Sequence, residues 1–394
     1  MNRLILVGNG FDLAHGLKTQ YKDYILKYWE SVKRSNHQDD FFRFEGKGLD
    51  FSNCRTLKDV IEQFQNDGII LGPDLLRSYF INYYKYRDSI YIEVLNNFFH
   101  HLNEIHSELN WVDIEIEYYK ILKKLMNQSI SEDVKKKQIK KLNDEISSIT
   151  NDFELYLKSY VLNESENKRM PQLEDVFLNE TLEELDLNRF FNEFPKSFVD
   201  KKLDSEYQLL KRNAPKTLKF LETHILNFNY TNTINKYFNQ TTSARAVINN
   251  IHGKINDSSN PINLGFGDER DKFYSEIEDA NENEYLRFMK SFYYSNTNNY
   301  KKLFDFLEKG EFQIQIMGHS CGLSDRTLLN SLFEHHNCIS IKVFYHKFKN
   351  IDENGNEDNY SDIVKNISRH FNQKAMMRSK IVDKTLCEPL PQFE

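Results

Sequence analysis

A chain of 394 residues, 39% hydrophobic and 28% charged, has room for two or three domains and a substantial buried core. Its 30 Phe and 22 Tyr against 14 Gly and 7 Pro exclude a disordered chain, because rings fill a core and few breakers interrupt it. The net charge of −7 argues against nucleic acid as a partner, and no stretch is long enough to span a membrane or built like a signal peptide, so a cytoplasmic protein is expected.

In chain order, an apolar strand at Arg3–Val7 runs into "GNGFDLAHGL", a glycine turn with Gly8, Gly10 and Gly16. An aromatic helix follows around Tyr21–Trp29. From 31 to 222 the sequence reads as helical. Its clearest segment repeats Ile139, Leu142, Ile146, Ile149, Phe153 and Leu157 at three- and four-residue steps, the period of one buried helix face. Strands return at 223–230, 246–253, 261–267, 312–320 and 338–346, with helical stretches between some of them. Strands alternating with helices imply an α/β fold, a Rossmann-like, mostly parallel sheet flanked by helices and carrying a large helical insertion. The expected organisation is therefore the first strand and turn in 1–30, a helical insertion over 31–222, the rest of the nucleotide-binding core over 223–350, and a helical tail over 351–394.

Ligands of such sheets bind outside the carboxyl ends of the strands. Asn9, Asn229, His252 and Ser320 each sit just past an apolar run. The glycine turn fits neither common phosphate fingerprint: Leu13 stands where a dinucleotide motif has its third glycine, and no Gly-Lys-Ser/Thr follows. Two close glycines still permit a tight turn and near approach of a phosphate. A purely structural turn is the equal alternative. Asp12 reads either as a helix N-cap or as a ribose ligand, and Asp325 first as a cap. His252 and Asn229 also read, from the residues alone, as polar ends of strands. Asp268 and Glu269 in "GFGDE" belong either to a site or to a salt-bridged loop.

Other polar groups point away from metal chemistry. Cys54, Cys321, Cys338 and Cys387 form no CxxC pair, which leaves buried free thiols as the reading. His100–His101 and His335–His336 are adjacent and would diverge on a helix, and no ligand spacing such as HExxH occurs, so no metal site is expected. Asp113, Glu115 and Glu117 fall on a helical pattern as surface acids, and Trp111 reads as an anchor for the insertion. The basic cluster Lys135–Lys137 is a solvated helix face flanked by acids.

Read together, the motifs carry a resemblance. Gly8-Asn9-Gly10-Phe11-Asp12, three residues and Gly16-Leu17 are similar in spacing to the glycine motif of sirtuins. "FNYTNTI" (228–234), "IHG" (251–253) and "MGHSCGLSD" (317–325) resemble the later segments of sirtuin-like NAD-cleaving domains. The ordered set "LILVGNGFDLAHGLKTQYKDY", "NWVDIE", "NFNYTNTI", "IHG", "GFGDE" and "GHSCGLSD", from residue 2 to about 346, is similar to the AbiH family of bacterial phage-abortive-infection proteins.

The resemblance implies a sirtuin-like (DHS-like) NAD-binding core and a role in defence against phage. It implies NAD or a related nucleotide as substrate or ligand, with no separate cofactor, and Asn229 and His252 as catalytic residues of an NAD glycohydrolase. Gly8, Asn9, Gly10, Phe11, Asp12, Gly16, Tyr230, Asp268, Gly318 and Ser320 would bind the nucleotide. Thr231 stands where sirtuins carry Asp, and their later Asp and Arg are replaced, which keeps a non-catalytic nucleotide-binding sensor as the alternative. A phage-derived trigger and a homo-oligomer built through the insertion are the partners this reading calls for.

Overall fold

The computed structural model describes residues 1–32, 37–45, 53–66, 78–81, 90–109, 113–162, 169–178, 189–203, 222–238, 246–352 and 355–393. Trp111 lies outside them. The strands described are β1 (Asn2–Val7), β2 (His37–Gln38), β3 (Phe42–Glu45), β4 (Ser78–Ile81), β5 (Ile90–Val94), β6 (Thr223–Asn227), β7 (Ala246–Asn250), β8 (Phe312–Met317), β9 (Cys338–Tyr345) and β10 (Glu388–Pro389). The chain folds into two compact units: Met1–Leu17, Leu157–Ser275 and Met289–Glu394 form the first, and Lys18–Tyr156 with Glu276–Phe288 form the second.

The first unit is built on β1. All six of its residues are buried, which only a strand covered on both faces can satisfy. It pairs parallel with β6 on one side and β8 on the other, and the sheet runs β10-β9-β8-β1-β6-β7 with every pairing parallel. Counted by chain order within the sheet, the strands lie 6-5-4-1-2-3. That is the doubly wound nucleotide-binding order, whose crevice opens where the direction of winding reverses, here between β1 and β8.

Alternation along the pleat sends side chains to two apolar layers. Leu4, Leu6, Ile314, Ile316, Ile341 and Val343 meet helices Asn299–Leu307, Arg326–Phe333 and Tyr360–His370 on one face. Ile5, Val7, Ile225 and Met317 meet Asn9–Ala14 and Pro171–Leu178 on the other. The expected α/β architecture with a parallel sheet flanked by helices is thus observed. The stretch 261–267 is not a strand: it contributes one isolated bridge, Phe266 to Met289. Two glycines and a proline interrupt its apolar run, and Gly267 is pressed against the Ser324 carbonyl.

The second unit holds the long helix Glu132–Tyr156, whose buried residues Ile139, Leu142, Ile146, Ile149 and Phe153 follow the expected period. It also holds an antiparallel sheet of order β2-β3-β5-β4 that the helical reading of 31–222 left out. Trp29, Tyr24, Phe42, Phe44, Phe98 and Phe99 are fully buried, and the Trp29 indole donates to Asn103 Oδ1 at 2.6 Å. Asp113 caps helix Ile114–Met126 by accepting from the Ile116 amide, and Lys135 and Lys136 pair with Glu132 and Glu282. Among the described residues no helix is long and apolar enough to cross a membrane.

Candidate functional site

The winding reversal lies in the first unit, and two glycine turns meet there. The Gly8 amide donates to Met317 O (3.1 Å) and the Gly10 amide to Gly318 O (2.7 Å). A Cβ on Gly8 would stand 2.5 Å from His319 Cα, and one on Gly318, whose φ is +72°, 2.1 Å from the Phe11 nitrogen. Bare backbone is therefore required on both sides of the contact. The turn packs strand end on strand end, and the two amides most suited to a phosphate already serve β8. Gly16, at φ +68°, closes the six-residue helix Asn9–Ala14 in the left-handed conformation that helix ends favour.

Around this contact the predicted residues take distinct places. Asp12 lies inside the short helix, so it is not its cap; its Oδ2 accepts from Thr231 Oγ1 at 2.7 Å, and its Oδ1 is buried without a hydrogen bond. Burial pushes its carboxyl up to about 6, against the smaller opposing effects of the Thr231, Thr233 and Asn229 side chains and the Lys236 charge. Asn229 follows β6, and its amide donates to the Gly8 carbonyl at 3.1 Å, tying two strand ends together. Phe11 is buried against the rings of His15, Phe177 and Tyr237. Asn9 and Ser320 are exposed, and Tyr230 is half-buried. Asp268 forms a salt bridge with Arg326 at 3.0 Å, the loop arrangement weighed for it above.

His252 sits two residues beyond β7 on a narrow loop. The Asn263 amide donates to its carbonyl and the Lys254 amide to Asn260 O, while Gly253, at φ +88°, leaves no room for a side chain against the Pro261 carbonyl. Its imidazole is buried edge-on to the Phe228 ring, which also packs against His319.

Here the structure adds three residues that sequence reasoning missed or misread. Asp325 begins helix Arg326–Phe333 but its side chain makes no cap. Instead its Oδ1 lies 2.8 Å from Lys290 Nζ and 3.0 Å from His252 Nε2, and its Oδ2 lies 3.7 Å from His319 Nε2. Lys290 is wholly buried, and His319 is buried after β8. The Lys290 charge and the two imidazoles hold the Asp325 carboxyl well below the usual carboxylate range despite its burial. Burial drives the His319 imidazole down to about 4, so it is neutral at pH 7. Lysine inside an apolar run, "RFMKSFYY", was the available signal: a cation there needs an anion.

All four cysteines are free and buried. His335 and His336 do converge, with ring centroids 4.5 Å apart and Glu308 beside both, because helix Arg326–Phe333 ends before them and helical divergence does not apply. His335 Nδ1 accepts the Asn337 amide, which leaves the ring proton on Nε2 facing Glu308 at 3.2 Å, and that nitrogen has no lone pair for an ion.

The sequence model of one family, described as bacteriophage abortive infection AbiH, matches residues 4–347. None of the curated proteins matches the chain.

Proposed function

The chain belongs to the bacteriophage abortive infection family AbiH, and we propose that it acts there by binding NAD at the winding reversal and hydrolysing its N-glycosidic bond. The observation that carries this reading is the strand order, which brings the turns after β1 and β8 together in the position where doubly wound sheets take dinucleotides. The motif likeness to sirtuins supports it independently.

In the reaction, water attacks C1′ of the nicotinamide ribose while the bond to the pyridinium nitrogen breaks. The bonding pair neutralises the departing ring, so no acid is needed. The attacking water gives its proton to His252, since imidazole is the side chain suited to general-base work near pH 7. Asn229 orients the water or a ribose oxygen without adding charge. The Asp12 oxygen without a partner accepts a ribose hydroxyl, and Ser320 a ribose or phosphate contact. Unchecked NAD loss would kill the host, so the resting protein is held inactive until a phage product appears, with a homo-oligomer as the form that senses it.

Nicotinamide release is the measurement. Purified protein incubated with NAD, alone and with phage lysate, should release nicotinamide once triggered, and His252→Ala should release about 10²–10⁴-fold less. NAD binding without release under any trigger would replace hydrolysis by the sensor reading, which rests on the replacement of the sirtuin motif's later Asp and Arg. Metal-dependent loss of RNA or DNA would sink both.

A further inference from the structure

Two buried imidazoles face one carboxylate, and only one of them keeps a lone pair. His319 Nδ1 accepts the Cys321 amide at 3.0 Å, so its proton sits on Nε2, toward Asp325. His252 also presents Nε2 to Asp325, at 3.0 Å, off the line of an ideal hydrogen bond. An ionised oxygen offers only lone pairs, so the nitrogen beside it must carry hydrogen. Among the described residues nothing donates to His252 Nδ1. Lys290, 2.8 Å from the same Oδ1, is the counter-charge that lets a buried carboxylate stay ionised.

We propose that Asp325, kept ionised by Lys290, fixes the proton of His252 on Nε2 and thereby makes Nδ1 the nitrogen that receives a proton from the attacking water. Asp325 and Lys290 are positioning residues for the hydrolysis proposed above, on which their kinetic role rests. The off-line contact straightens as the substrate settles, as catalytic hydrogen bonds do on going from the free enzyme to the complex. His319, its lone pair spent on backbone, packs the cluster and cannot replace His252.

The decisive experiment reads the tautomer directly. Two-bond 1H–15N correlation spectra of protein labelled at histidine should show His252 protonated on Nε2 in the wild type. The double variant D325N/K290M removes both buried charges together, so neither is stranded, and it should lose that preference. Under the trigger, nicotinamide release should fall at least about 100-fold in the double variant while KM for NAD moves less than about threefold, because the group acts through the base and not on the substrate. D325E, which keeps the charge, should restore part of the rate. His252 protonated on Nδ1 in the wild type overturns the proposal, and so does a double variant that keeps the wild-type tautomer and rate. Should the double variant fail to fold, D325E carries the test: the wild-type tautomer with a rate above that of H252A supports the proposal, and a rate as low as H252A or a lost tautomer preference overturns it. A wild type that never releases nicotinamide overturns the hydrolase reading alone, since the spectra still decide the tautomer.

Discussion

Two aspartates stand beyond neighbouring strands of the same sheet, Asp12 after β1 and Asp325 after β8, with 1% and 7% of their surface exposed. Their carboxyl pKa values are nonetheless displaced in opposite directions. Asp12 meets a threonine hydroxyl and one unanswered side, so burial wins and its carboxyl rises to about 6. Asp325 meets an ammonium and two imidazoles, so charge wins and its carboxyl falls well below the ordinary range. Burial sets the size of the stakes, and the partner sets the sign.

Removing the cation should break the contrast most. Lys290→Met leaves Asp325 buried and uncompensated, and should cost about 3–5 kcal/mol in urea unfolding at pH 7. A loss below about 1 kcal/mol would mean that the two imidazoles alone hold the charge. Next is the contact that joins the two turns. Gly318→Ala forces a side chain into a left-handed backbone 2.1 Å from the Phe11 nitrogen, and should cost on the order of 3 kcal/mol. Thermal melts that overlay those of the wild type would show that the turns part freely.

The smallest effect is on pH dependence. Asp12 has a raised folded pKa, so the native state binds more protons between pH 4 and 6, and this site loses stability as pH rises through that window. His319 has a depressed one, near 4, so its contribution is gained as pH rises from 4 to 6.5. In the wild type the two slopes oppose each other. Asp12→Asn should unmask the histidine, adding on the order of 1–2 kcal/mol to the gain in stability between pH 5 and 7. An unchanged slope in denaturant titrations at the two pH values would place the Asp12 carboxyl in its normal range.

The parallel sheet was legible because its strands are short runs rich in Ile, Leu, Val and Phe that end in turn formers, as in "LILVGNG" and "FQIQIMGHS". The antiparallel sheet of the second unit was not, since its strands have two to five residues, too few for a period to emerge from a helix-rich background. Strand β10, at Glu388–Pro389, gave no signal for the same reason. At the site, His252 and Asn229 could be singled out as polar residues at strand ends. Asp325 was masked by its position ahead of a helix, where a cap is the ordinary reading, and Lys290 by its distance in sequence from any acid it serves. Contacts made by tertiary folding leave no local period to read.

The central position of β1 sets a timetable for the chain. It is made before either neighbour, and its Arg3 pairs with Thr223 while its Asn2 pairs with Phe312. An apolar strand must therefore wait on the ribosome with one edge unmet for some 220 residues and the other for some 300, the latter at least about 15 seconds at the usual rate of about 5–20 residues per second. No local pairing shortens that interval, because a parallel partner always arrives by a long crossover. The nascent protein is thus exposed to aggregation for as long as its own synthesis lasts, and its yield should depend more on chaperones and translation speed than on the stability of the finished sheet.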